Sequence, residues 1–395
     1  MTRQAPVRRA RPARDPYGIA PVATAASPIA AVVGLLIVSV YTLGFMGASI
    51  PLLPNFVPDP NNPGPGGGPV VSPAPSNVVN IDPRVNVPGS IVYAKGGNIW
   101  VQSGTTVRQL TPDGGASMPA WSPDGRWVYY IQTRSESAIW PYQARERRFR
   151  LTVPRLMRIA ADGSGTPELV ASGRMREGSY RWFYWLRQPA VSPDGKTVAL
   201  VSDAPDPEDS DVVVQLVDVG SGTLTNPGLP ETAPLGHQDP AWHPGGRYLL
   251  FVRNGRDGGI VSRYDSQTGQ VRTITGPGYL QPEYSPNGRY IVATKADAFG
   301  TDVVVIDTAR RSEVLRVTND DRSWAPTWSP AGDAISFLHI ENGIVDLRMV
   351  MLEGTAPAWT VGEPISLTVA SGLDGASRPD WYIPPSQLPA VTSAP

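Results

Sequence analysis

This sequence predicts an all-β chain built from a recurring four-stranded unit, and three observations carry that expectation. One phrase of turn residues is written five times and, in worn form, a sixth. Successive copies lie 42 to 70 residues apart. Between them, short β-branched and aromatic runs alternate with Gly, Pro and Asp, with no amphipathic helical period of useful length.

The copies read PAWSPDGR from Pro119, PAVSPDGK from Pro189, PAWHPGGR from Pro240, PEYSPNGR from Pro282 and PTWSPAGD from Pro326, with RPDWY from Arg378 as the worn sixth. From the first proline of each, the steps are 70, 51, 42, 44 and 53 residues. Periods of this size mark repeat architectures. The 43 Pro and 40 Gly of the 395-residue chain supply the turns that many short strands need. A formal net charge of -1 argues against a global attraction to nucleic acid or anionic membrane. With no Cys, disulfides, thiolate metal sites and a cysteine nucleophile are excluded, while the redox compartment stays open.

Residues 1–28 hold Arg3, Arg8, Arg9, Arg11 and Arg14 against Asp15 alone, a basic tail. Ile29 to Ile50 then runs 22 residues without a charge, enough to cross a hydrocarbon core of roughly 30 Å as a helix. The arginines keep the flank before it in the cytoplasm and place the remainder of the chain outside. A cleaved signal peptide is the competing reading, opposed by the length of the run; a buried core helix is another, opposed by the missing polar face. Residues 51–88, with PDPNNPGPGGGP and VSPAPS, have too few apolar residues for a core and are expected to form a flexible linker. The repeat domain is expected over 89–384, followed by a disordered tail, 385–395.

Each unit has the same grammar. After the phrase come an apolar run (Trp127 to Ile131, Thr197 to Val201, Tyr248 to Val252, Tyr290 to Thr294, Ala334 to Leu338), a second (Val212 to Asp218, Ile260 to Asp265, Asp302 to Asp307, Leu347 to Leu352) and a weaker third (Val271 to Thr275, Val314 to Thr318). With the strand of the phrase itself this makes four, the content of a propeller blade. The spelling is structural. Pro and Gly bound a tight reversal, and Asp124 with Gly125, or Asp194 with Gly195, hydrogen-bonds and bends its own turn. Trp121, Trp242, Tyr284, Trp328 and Trp381 offer large apolar bodies to wedge between neighbouring sheets.

These copies, PAWSPDGR above all, closely resemble the WD-like repeats of the TolB family of periplasmic β-propellers, which also occur as propeller domains of prolyl-oligopeptidase-type enzymes. The resemblance covers Gly89 to about Pro384 and is specific for fold, not for function. It implies a six-bladed propeller with the phrase as innermost strand and first turn. Ile91 to Tyr93, Ile99 to Gln102 and Arg108 to Leu110 then form a blade without its phrase, and Pro379 to Tyr382 a phrase without its blade. Pairing the two closes the ring and removes its unpaired edges.

The long 70-residue step holds two insertions, Thr133 to Pro154 and Ala171 to Gln188, both expected on the face opposite the SPDG turns, beside the acidic loop Asp203 to Asp211. From Arg134 to Arg187 there are eleven Arg against five acids. Interleaved aromatics make this the composition of an interface, with Arg145, Arg147, Arg148, Arg150, Arg181, Trp182, Tyr184 and Trp185 as candidate contacts for a protein partner of the cell envelope. The bland alternative has the insertions pack on each other and pair with Asp206, Glu208, Asp209 and Asp211. A cell-wall polymer or an anionic lipid would suit the same groups.

Catalytic signatures are absent. No GxSxG elbow or GxxxxGK[ST] loop occurs, and Pro385 to Pro395 leave no room for a following hydrolase domain. His237, His243 and Asp239 offer a weak case for a metal, and DAPDPEDSD lacks the spacing of a calcium loop; ordinary turn residues are expected at both. The sequence therefore predicts no catalytic residues, no metal, no cofactor and no nucleic-acid partner. It predicts a single-pass membrane protein whose extracytoplasmic propeller binds another macromolecule, with a carbohydrate-binding module and a metal-dependent propeller lyase or hydrolase as rivals.

Overall fold

The computed structural model describes residues 78–388, apart from 143–144, 206, 208–210 and 230–235. The basic tail, the apolar run Ile29 to Ile50 and the linker up to residue 77 lie outside the described residues, as does 389–395. No helix among the described residues is long and apolar enough to cross a membrane.

Six sheets stand around one axis. Blade 1 contains β1 (Val87–Lys95), β2 (Asn98–Gly104) and β3 (Thr106–Gln109). Blade 2 contains β4 (Ala116–Trp121), β5 (Trp127–Tyr142), β6 (Arg145–Ala160) and β7 (Glu168–Ser172), with β8 (Arg174–Glu177) and β9 (Tyr180–Phe183) added to it. Blade 3 is β10 (Arg187–Val191), β11 (Thr197–Ser202), β12 (Val213–Asp218) and β13 (Leu224–Thr225). Blade 4 is β14 (His237–Trp242), β15 (Tyr248–Gly255), β16 (Gly258–Asp265) and β17 (Val271–Pro277). Blade 5 is β18 (Tyr279–Tyr284), β19 (Tyr290–Ala296), β20 (Thr301–Asp307) and β21 (Ser312–Arg316). Blade 6 is β22 (Ser323–Trp328), β23 (Ala334–Glu341) and β24 (Ile344–Thr355), whose outer edge takes both β25 (Ala358–Val361) and β26 (Ile365–Ser366). The last strand, β27 (Asp380–Tyr382), returns to blade 1 as its inner strand, so the sheet order there is β27-β1-β2-β3.

The repeated phrase is the inner strand and the turn that leaves it. Ser122 Oγ donates to Asp124 Oδ1 at 2.6 Å and accepts from Trp127 N at 2.9 Å, while Gly125 N donates to Ser122 O at 2.9 Å with φ at 66°. Ser192, Asp194 and Gly195 repeat this, and His243 replaces the Ser by accepting from Gly245 N at its Nδ1. The glycine has a second reason to be there. A Cβ on Gly125 would collide with Tyr382 of the preceding blade, and one on Gly288 with His243.

Both faces of every blade are buried, and six apolar clusters occupy the six interfaces between neighbours. Blades 1 and 2 share Val92, Ile99, Trp121 and Tyr130; blades 2 and 3 share Tyr129, Leu156, Leu200 and Val217. Blades 3 and 4 share Val201, Val214, Leu249 and Phe251, and blades 4 and 5 Leu250, Val261, Tyr284 and Ile291. Blades 5 and 6 share Tyr290, Val303, Trp328 and Phe337. The remaining interface, Ile91, Tyr93, Leu338, Leu347 and Trp381, joins blade 6 to blade 1. The wedges are visible here: Trp121, Tyr284, Trp328 and Trp381 are all buried between blades.

The chain ends pair as expected, and the register places Ser90 opposite Tyr382, Ile91 opposite Trp381 and Val92 opposite Asp380. Trp381 Nε1 adds a bond to Pro88 O at 2.7 Å. Two boundaries are corrected. Residues 78–88, assigned to the linker on composition, form a strap on the ring: Val79 and Val87 are buried, Ile81 pairs with Thr368, and Asn80 N donates to Ser371 Oγ at 3.0 Å. Alternating Val79, Ile81, Val85 and Val87 supply the apolar side that the Pro and Gly content conceals. At the other end, Pro385–Gln387 form a 3-10 turn where a disordered tail was expected.

Because Trp381 is both wedge and closing strand, Trp381→Ala is expected to cost about 3–5 kcal/mol. Equilibrium denaturation would read this as a lower midpoint with the ring still unfolding as one unit; an unchanged midpoint would show that closure rests elsewhere.

Candidate functional site

Blade 2 carries the one large departure from the ring. Its β5 and β6 pair without a bulge from Trp127 opposite Ala160 to Tyr142 opposite Arg145. Each has 16 residues, where the equivalent strands of blade 3 have 6. The inner strand β4 reaches only to Gln132. Beyond it β9 takes the edge of β5, with Ile139 opposite Arg181, and β8 pairs with β9 from Arg174 opposite Phe183 to Glu177 opposite Tyr180. The result is a four-stranded extension, β6-β5-β9-β8, rising from the face opposite the SPDG turns, where the sequence placed both insertions.

Strand alternation gives the extension two unlike sides. Ala138, Leu151 and Val153 are buried on one, and Phe149, Trp182 and Phe183 pack against them, with the Phe149 and Trp182 rings edge to face at 5.6 Å. Arg148, Arg150, Arg176 and Arg181 take the other alternation and are exposed. Glu136 ties the base together by accepting from Arg155 and Arg174, each at 2.5 Å. Burial opposes ionisation of Glu136, but the two guanidiniums outweigh it and hold the carboxyl below its usual value. Gly173 is where the chain leaves β7, beside β6, and crosses to β8. Its N donates to Pro154 O at 2.9 Å, and a Cβ there would lie 2.6 Å from Tyr184 O, so the close approach excludes any side chain.

The eight candidate contacts are thus brought into one extension but divided within it. Arg148, Arg150 and Arg181 share the exposed side, where Arg150 Nε donates to Ser135 Oγ at 2.7 Å. Arg147 takes the alternation of Phe149, and the side chain of Arg145 lies outside the described residues. Trp182 serves the small core. Tyr184 N donates to Gly173 O at 2.6 Å, and half-buried Trp185 stacks under Arg187 at 4.1 Å, with its N donating to Asp203 Oδ1 at 2.7 Å. Within the insertion, Arg155 and Arg174 both pair with Glu136. Of the acidic loop, Asp206, Glu208 and Asp209 lie outside the described residues. Arg174 and Arg176 escaped notice as candidates; their one-residue spacing, in phase with Arg181 across a tight turn, was the available signal.

The axis is a second polar site. The residue before the phrase, Met118, Gln188, Asp239, Gln281 or Ala325, is left-handed in five blades, with φ between 50° and 54°. A collar of bonds between blades holds this unfavourable conformation. Met118 N donates to Ser377 Oγ at 3.1 Å and Gln188 N to Met118 Sδ at 3.3 Å. Asp239 N donates to Gln188 Oε1 at 3.0 Å, Gln281 N to Asp239 Oδ2 at 3.0 Å and Ala325 N to Gln281 Oε1 at 2.9 Å. One step along, Trp121 N donates to Asp380 Oδ2 at 2.6 Å and Trp328 N to Glu283 Oε1 at 2.9 Å. Arg378, the residue before the sixth copy, donates to Pro282 O at 3.0 Å and lies 3.8 Å from Glu283.

An axial cavity of about 400 Å³ remains, lined by these groups and by the prolines of the phrase. Withdrawal from water pushes Asp239 up to about 6 and Glu283 up to about 7, against the pull of Arg378. Asp380 is raised for the same reason. Their oxygens are engaged in holding blades together. Among the described residues, no group of three His, Cys, Asp or Glu is arranged to hold a metal ion. His237 Nδ1 accepts from Val214 N at 3.3 Å and His243 sits in its turn, apart from Asp239 in the collar.

No protein-family model matches the chain. An uncharacterized protein of Agrobacterium fabrum is 30% identical over 165 residues, which are 39% of this chain and 45% of that protein, so the chain spans less than half of the curated relative it matches. Among solved structures, TolB from Acinetobacter baumannii is similar with a TM-score of 0.55 at 17% identity, over 74% of this chain and 66% of that one. A putative TolB from Agrobacterium tumefaciens is similar with a TM-score of 0.53 at 19% identity, over 76% and 95%. At these identities the likeness is one of fold: a six-bladed propeller of the TolB type.

The collar predicts a pH dependence. Asp239 and Glu283 bind protons more tightly folded than unfolded, so their contribution to stability is full below about pH 4 and is lost as pH rises through about 7. The facing charged groups are Arg378 and Asp380. Glu283→Gln keeps the acceptor for Trp328 and removes one titration. Melting curves from about pH 5 to about pH 8 should fall for the parent chain and flatten for the variant; equal slopes would remove Glu283 as the cause.

Proposed function

We propose that this chain is a membrane-anchored, extracytoplasmic propeller that acts without catalysis, as an interaction module holding a protein partner of the cell envelope. The observation that carries the reading is the extension on blade 2. It has its own apolar core, adds nothing to ring closure and presents arginine and half-buried aromatic side chains from a rigid scaffold. The fold supports it in a general way, since a closed ring offers a stiff platform and the carboxylates around its axis are engaged in bonds between blades. The anchor rests on the uncharged run from Ile29 to Ile50 and its basic flank.

The partner is assigned to the base of the extension, around Tyr184, Trp185 and Arg187. A stacked Trp and Arg pair is the type of group that dominates binding energy at interfaces. The test is a photo-crosslinker placed at Trp185 in the full chain in its native membrane, compared with one at Asn287 on the opposite face. The expected result is one discrete protein adduct from the first position alone. With that partner purified, Trp185→Ala should weaken binding by about 30-fold or more. Equal capture by the variant would overturn the surface, and a tightly bound metal with chelator-sensitive turnover would overturn the non-catalytic reading.

A further inference from the structure

The exposed side of the extension carries a line of arginines that the ring does not use. Ile139 lies opposite both Arg148 and Arg181, and Arg181 opposite Arg176, so the three form one row across β6, β5, β9 and β8. At about 4.8 Å between strands the row is roughly 14 Å long. All three are exposed, and none forms an ion pair among the described residues. Arg150 adds a fourth charge one row lower. Glu146, the carboxylate on the same alternation, makes no ion pair with them. The row is distal, next to the turn joining Glu177 to Tyr180 and three residues from the ends of β5 and β6.

A second observation places the entry of the chain relative to the extension. Lys95, at the end of β1, is buried and donates to Val78 O at 2.6 Å and to Ser371 O at 2.5 Å. The adjoining Gly97 O accepts from Ala116 N at 2.7 Å, and Gly115 O accepts from Thr133 N at 2.8 Å, where the extension begins. The strap therefore delivers the chain at Val78 to the same face of the ring as the extension, one blade away. Between Ile50 and Val78 lie 27 residues, which even fully extended would reach no more than roughly 100 Å.

We propose that Arg148, Arg176 and Arg181 dock the ring on the anionic lipid headgroups of the bilayer that holds its own N-terminal segment. This rests on the anchor in the proposed function and takes the row out of the protein-binding surface. The chain enters the ring at Val78 on the face that carries the row, so an anchored segment would present headgroup phosphates to the guanidiniums at high effective concentration. Guanidinium suits phosphate as a planar, permanently charged fork. Each arginine near an anionic leaflet contributes about fivefold to association, so three give roughly 100-fold, screened by salt. An acidic protein would satisfy the charges too, but nothing in the chain brings one to the distal row.

The test uses the full chain in nanodiscs of phosphatidylcholine alone or with phosphatidylglycerol, read by amide hydrogen exchange of residues 146–152 and 174–183. Exchange should slow at least fivefold in the phosphatidylglycerol discs only. The protection should be lost in high salt and in R148Q/R176Q/R181Q, and kept in R148K/R176K/R181K, with melting temperatures unchanged. Equal exchange in both disc types, or undiminished protection in the Gln variant, overturns lipid docking and leaves the anchor standing. Failure of the chain to stay with either disc overturns the anchor and the docking with it, whatever the partner-capture result.

Discussion

Everything in this ring depends on three residues of β27 lying beside β1. Each blade is apolar on both faces, so none can bury its surface without two neighbours, and the interface between blades 6 and 1 forms only once the last strand returns. That interface holds Ile91, Tyr93, Leu347 and Trp381. Closure also removes the inner edge of blade 1, which would otherwise be an open template for another strand. A very short strand suffices because its central residue is a tryptophan that fills the wedge and bonds Pro88 as well.

The axis obeys the same constraint. Where the inner strands converge, five of the six residues that precede the proline turn sharply, and the chain accepts left-handed backbone at Met, Gln, Asp and Ala to do it. The N–H groups of those residues go to a side chain of the preceding blade, which makes the collar a relay of five bonds running from Ser377 to Ala325. The carboxylates of Asp239, Glu283 and Asp380 accept from tryptophan and glutamine N–H groups across these contacts. The extension on blade 2, by contrast, has residues to spare.

The repeat, its four strands and the pairing of the chain ends were legible in the sequence because Pro, Gly, Asp and Trp each have one dominant physical use in a tight turn or a wedge. The collar was not legible. Met118, Gln188, Asp239, Gln281 and Ala325 share a position and no chemistry, and only three-dimensional proximity shows that each one's N–H group seeks an acceptor. The insertions were legible in place and composition, but not in how they divide. Which of Arg147 and Arg148 turns outward depends on the register with β9, and a one-residue slip would exchange the sides. The strap was hidden by its neighbours: alternating valines are overruled by the Pro and Gly around them when composition is averaged over 38 residues.

Lys95 gives the strap a mechanical meaning. Any tension carried by the chain upstream of Val78 first meets a buried ammonium holding two carbonyls, then the bonds of Asn80 to Ser371. Only past these does load reach β1, which it pulls along the strand direction with β27 on one side and β2 on the other. Force in that direction shears all the ladder bonds together instead of peeling them one at a time. The blade that the chain closes last is therefore also the one built to bear a pull.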